Sequence, residues 1–132
     1  MTDRFDRLWP GVGRDDPAFR PGLVGTTWMF VEVDGRPLAG RSRTRPPSIE
    51  LTADGQRVTG FTGCNRLLAS YELAGDTLRF GHLTTTRRAC PRGAELERDL
   101  LAALEATRSH RIVGRALELR AEASVRARLL TP

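Results

Sequence analysis

Two short segments hold every cysteine of the chain: Gly60-Phe61-Thr62-Gly63-Cys64-Asn65 and Thr84-Thr85-Thr86-Arg87-Arg88-Ala89-Cys90. Thiols, hydroxyls and guanidinium groups at this spacing could do three kinds of chemistry. Cys64 and Cys90 could cross-link, closing a loop of about 25 residues, for roughly 3.5 kcal/mol of stabilisation. They could equally stay as two buried thiols that behave as small apolar side chains. A metal site is the third option. Two cysteines alone cannot complete the usual four-ligand zinc shell. Adding His82 and His110 supplies suitable ligand types at spacings that match no recognised pattern, so no metal is expected. The cysteines are too far apart in sequence for a C-x-x-C redox motif.

Thr84, Thr86, Arg87 and Arg88 form the best candidate for binding an anion. Their hydroxyls and guanidinium groups would be joined by the amides of a nearby helix start. The simpler alternative is a strand edge whose hydroxyls satisfy backbone groups and whose arginines are solvated. Asn65 follows Cys64 at a turn, where Asn tolerates left-handed backbone angles and bonds its own local backbone. No Gly-x-Ser-x-Gly or phosphate loop occurs, so catalytic residues and cofactors are not expected. Glu95, Glu97 and Asp99 read as a solvated helix face with local ion pairs.

These residues need a scaffold. The chain has 132 residues and a net charge of +5, and its basic residues are all arginine. Such a length suits one domain with one core. Basic charge attracts anionic surfaces. The absence of lysine and the scarcity of isoleucine fit GC-rich coding equally well. Residues 1–22 are turn-rich and aperiodic. They read as a flexible tail, with Trp9 or Phe19 as possible anchors, and 23–132 as the folded domain.

Thr26–Val33 is β-branched and aromatic and ends at the turn Asp34-Gly35. Strict alternation places Trp28, Phe30 and Glu32 on one face and Met29, Val31 and Val33 on the other. Residues 36–47, with Arg41, Arg43 and Arg45, read as an exposed loop. Strands follow at 48–52, 57–62, 67–73 and 77–80, with Gly60 marking a bulge or a close backbone approach. Trp28, Phe30, Phe61, Tyr71 and Phe80 are placed in the core. Over 95–107, Leu96, Leu100, Leu101 and Leu104 recur at helical spacing. Three further strands cover 111–113, 116–120 and 124–130. His82 is assigned to a strand end and His110 to a turn after the helix. The expected fold is mainly β with one helix (α+β): a small antiparallel curled sheet or barrel of about seven or eight strands. The helix enters before the last three strands.

The order Leu23-x-Gly25-x-x-Trp28, Gly60-x-x-Gly63-Cys64-Asn65, Tyr71, Leu83-x-x-Thr86-x-x-Ala89-Cys90, Glu97 and Leu117-x-Leu119 resembles the META domain family, which includes HslJ-like heat-shock proteins. The likeness spans residues 23–131. Its motif positions here are Gly63, Cys64, Asn65, Thr86, Ala89 and Cys90. The resemblance implies a small β-rich fold with one helix and a non-enzymatic, stress-related or envelope-associated binding or interaction module. Its partner would be a protein or a small molecule, and the protein a monomer. The alternatives are a small-ligand carrier using the barrel interior and, with less support, a basic nucleic-acid-binding barrel. No apolar stretch is long enough to cross a membrane. The N-terminal segment as given lacks a signal peptide, which implies a cytoplasmic location. Periplasmic or secreted placement is the alternative if an export segment precedes Met1.

Overall fold

A computed structural model describes residues 21–38 and 45–132. Residues 1–20 of the expected tail, with Trp9 and Phe19, and the loop arginines Arg41 and Arg43 lie outside the described residues. In chain order the elements are β1 (Thr27–Val33), β2 (Arg36–Pro37), β3 (Ser48–Thr52), β4 (Arg57–Phe61), β5 (Arg66–Ala74), β6 (Thr77–Thr85), α1 (Ala94–Ala106), β7 (Ser109–Val113), β8 (Ala116–Ala121) and β9 (Ser124–Leu130). The strands form one sheet in the order β2-β1-β3-β4-β5-β6-β7-β8-β9, and β1 also pairs with β9. That last pairing curls the sheet into a ring, with α1 placed before the last three strands. The fold is thus the mainly β, one-helix architecture that the hydrophobic periods predict.

The extra strand comes from the segment expected to be loop. Asp34 and Gly35 both have positive φ, 51° and 78°. This is the left-handed pair that closes a two-residue hairpin. It returns Arg36 and Pro37 against Val33 and Glu32 and buries Leu38.

A bulge in β1 changes the alternation. Phe30 pairs with Leu129 and Glu32 with Arg128, leaving Val31 as the additional residue. An inserted residue shifts the pleat by one. Val33 therefore joins Trp28 and Phe30 in the core, and Glu32 turns outward to Arg128 at 2.7 Å. A second irregularity lies between β5 and β6, opposite His82, whose φ is 52°. It breaks the alternation beyond Phe80, so β6 runs on to Thr85 although its sequence pattern ends earlier. His110 lies within β7 rather than in a turn.

The ring is weakest between β6 and β7. Their register is limited to Thr77 opposite Ser109, with backbone bonds from Leu78 N to Arg108 O and from His110 N to Asp76 O. The helix packs against β6, β8, β9 and β1. Its buried residues are Leu96, Leu100, Ala103 and Leu104. They meet Trp28, Leu51, Leu78, Leu117, Leu119 and Leu129, all fully buried. The indole Nε1 of Trp28 donates to Leu23 O at 3.1 Å, and the Tyr71 hydroxyl donates to Thr52 O at 2.8 Å. Both polar tips are thereby satisfied inside an apolar core.

Gly60 is a close backbone approach. It faces Ile49 across β3–β4, and a Cβ there would collide with the Ser48 carbonyl oxygen and lie 3.1 Å from Ile49 Cγ2. The obstacle is backbone, which cannot step aside. Gly60→Ala is therefore expected to cost about 1–3 kcal/mol, the range of overpacking strain, read as a shift in urea midpoint at constant m-value.

Candidate functional site

The two cysteine segments meet at the helix entrance. Cys64 and Cys90 form a disulfide with their Cα atoms 5.9 Å apart. Just before Cys64, Gly63 has φ of 99°, a conformation suited to glycine. Beyond Cys90, the amides of Gly93 and Ala94 both donate to Cys90 O at 3.0 Å, starting α1. A Cβ at Gly93 would touch the Cβ atoms of both cysteines at 3.4 Å. The cross-link thus ties the β4–β5 turn to the first turn of the helix.

Asn65 is buried and bonds far beyond its local backbone. Its Nδ2 donates to Glu97 Oε2 at 3.0 Å and lies 3.3 Å from the Arg88 carbonyl oxygen. Its Oδ1 accepts from Arg88 N at 2.7 Å and Thr86 Oγ1 at 2.8 Å. Thr62, fully buried, donates its hydroxyl to Glu97 Oε2 at 2.7 Å. The Thr62 hydroxyl oxygen itself accepts the amides of Cys64 and Asn65 at 3.2 and 2.9 Å. Glu97 is half-buried, so it is not the solvated helix carboxylate expected from its neighbours. Sequence reasoning missed its role; the available signal was its fixed place in the motif order. Such a satisfied polar network orients the chain and leaves no hydroxyl poised for attack. Ala89 is exposed beside it.

The expected anion cluster is not assembled. Thr84 Oγ1 donates to Leu68 O, and Thr86 Oγ1 donates to Asn65 while accepting Arg66 N at 3.1 Å. Both hydroxyls already serve the fold. Arg87 and Arg88 are exposed. Cys64 and Cys90, being joined, offer no thiolate to a metal. His82 lies 3.0 Å from Ser70 Oγ through Nδ1, while His110 Nδ1 faces Asp76 O at 3.3 Å. Among the described residues no group of three potential ligands gathers. Among the described residues no carboxylate bonds His82, so the Ser70–His82 contact lacks the third member of a triad there.

A concave surface lies on the outer face of β4, β5 and β6. Across it Thr59 pairs with Leu68, and Leu68 with Thr84. One pair further along, Phe61 faces Arg66. The groove is half-open and has a volume of about 400 Å³. Leu68 is 59% exposed at its floor, and among the described residues Arg66 is the one charged residue lining it. Phe61 corrects an expectation: it lies outside the core cluster, under the guanidinium of Arg45 at 4.1 Å. The tight β3–β4 approach at Gly60 takes the inward position beside it, so alternation turns Phe61 outward.

The curled sheet, the disulfide at the helix entrance and the Asn65–Glu97 contact occupy the positions of the motif order described above. The META domain model matches residues 21–131. The chain belongs to the META domain family. Solved structures of similar shape include an NMR structure of a Burkholderia xenovorans protein, 28% identical, with a TM-score of 0.65 over 89% of this chain and 95% of that one. A second NMR structure, 22% identical, has a TM-score of 0.63 over 82% and 90% of the two chains and supports the fold alone. No curated protein matches the chain. Neither the family nor these neighbours indicates a catalytic activity. No helix is long and apolar enough to cross a membrane among the described residues.

Proposed function

We propose that this META domain is a non-enzymatic binding module that works through its outer surface, in an oxidising envelope compartment. The observation that carries the reading is the filled interior. Trp28, Leu51, Leu78, Leu100, Leu104 and Leu129 close the space inside the ring. An interior carrier needs a cavity of a few hundred Å³ lined by apolar groups. A concavity of about that size among the described residues lies on the outer face over Leu68, open to solvent. The Cys64–Cys90 cross-link supports an oxidising setting, where such bonds persist. A nucleic-acid platform needs exposed aromatic faces in a basic groove. None of the exposed large apolar residues among those described is aromatic.

Saturation-transfer NMR with a fragment library tests this reading. Fragments that bind the native protein are expected to lose their signal with Leu68→Asp, while the melting temperature stays unchanged because Leu68 is already solvent-facing. Hits retained in that variant would assign binding elsewhere and overturn the reading.

A further inference from the structure

The groove has a polarity that narrows its ligand. Leu68 presents its side chain to solvent between two threonines, Thr59 and Thr84, in register across three strands. Two residues along β5, on the same face, stands Arg66. Its backbone N–H is held by Thr86 Oγ1, which fixes where the side chain starts. Its guanidinium has no carboxylate partner among the described residues, unlike Arg120, Arg126 and Arg128, which pair with Glu118, Asp34, Glu32 and Glu118. Among the described residues no acidic side chain lines the groove. Beyond Arg66, Arg45 over Phe61 adds a second positive charge at the same end. The Thr59 hydroxyl is exposed on that face, whereas those of Thr84 and Thr86 are engaged by the fold.

We infer that the groove binds a small amphipathic anion, an apolar body bearing one carboxylate or sulfonate. The acidic head meets the Arg66 guanidinium, in the planar geometry that suits such groups. The Thr59 hydroxyl donates a further bond, and the apolar body covers Leu68 and the methyl groups of the flanking threonines. A ligand that only carried charge would leave Leu68 wet. A ligand that was only apolar would cover Arg66 without a partner, at a desolvation cost. A half-open groove of about 400 Å³ falls in the small-molecule range. This inference rests on the outer-surface reading above.

The probe is 1-anilinonaphthalene-8-sulfonate, an aryl anion whose fluorescence rises in apolar surroundings, compared with uncharged N-phenyl-1-naphthylamine. The native protein is expected to bind the sulfonate saturably and the neutral dye about tenfold more weakly or worse. Arg66→Gln and Leu68→Asp should each weaken sulfonate binding by roughly tenfold or more. Arg111→Gln removes the same charge from exposed β7 and should change it by less than about twofold. Octanoate should displace the sulfonate. Equal losses in Arg66→Gln and Arg111→Gln would reduce the effect to general charge and overturn the inference. So would equal affinity for the two dyes. If that happens while fragments still depend on Leu68, only the ligand class fails. If the fragments ignore Leu68, the outer-surface reading fails with it.

Discussion

Replacing both cysteines, as Cys64→Ala with Cys90→Ala, is expected to lower the unfolding free energy by roughly 3.5 kcal/mol. The cross-link joins residues 26 apart, and that loop sets the entropy returned to the unfolded chain when the bond is removed. The expected loss is large because the link acts where the sheet has least support. It fastens the β4–β5 turn to the start of α1, and α1 covers the ring beside the sparse β6–β7 seam. Without it, helix and sheet are held by packing and by the Asn65 network alone. Paired urea titrations, with circular dichroism of helix and sheet, measure the difference. A loss below about 1 kcal/mol would mean that the bond adds little to contacts already sufficient.

The second large effect is expected at Asn65. Asn65→Asp keeps Oδ1 for Thr86 and Arg88 but replaces the amide group by oxygen. That oxygen would face the Glu97 carboxylate and the Arg88 carbonyl, which now receive Nδ2. Two like charges and a lost pair of donors should cost about 3 kcal/mol at neutral pH. Glu97→Gln in the same background restores a donor and should recover about half of the loss, a coupling beyond additivity. A stability within about 0.5 kcal/mol of the parent, or strictly additive changes, would show that the contact carries no weight.

Much of this architecture was legible because local periods and tight turns agree with it. Period-two alternation located β3, β8 and β9, and leucine spacing located α1 within one residue at each end. Asp34-Gly35 signals a turn, but nothing in the loop-like residues after it signals the short strand that returns against β1. What stayed hidden was non-local. The bulge at Val31 is set by pairing with β9, nearly a hundred residues away in sequence, and it moves Val33 inward against its pattern. His82 breaks β6 in the same way. Phe61 looks like core until Gly60 is seen pressed against the β3 backbone.

The site follows the same division. The cysteine segments announced their importance, but Asn65 was read for its turn propensity and Glu97 for its charged neighbours. Their contact spans 32 residues and depends on where α1 docks. The groove was the least visible feature. In Leu67-Leu68 adjacent leucines in a strand must face opposite ways, which signals one exposed leucine. Nothing local says that Arg66 stands beside it without a counter-charge.

In the proposed reading the motif residues brace the fold and the outer groove binds. The most direct measurement is the change in amide and indole signals of the native protein, by ¹H–¹⁵N correlation NMR, as 1-anilinonaphthalene-8-sulfonate is added. The account predicts shifts concentrated at Thr59, Arg66, Leu68 and Thr84, with the Trp28 indole and the Cys64 and Glu97 amides unmoved. Shifts centred on Trp28 would place the ligand inside the ring, and shifts centred on Cys64 and Glu97 would make the brace itself the site; either would contradict it.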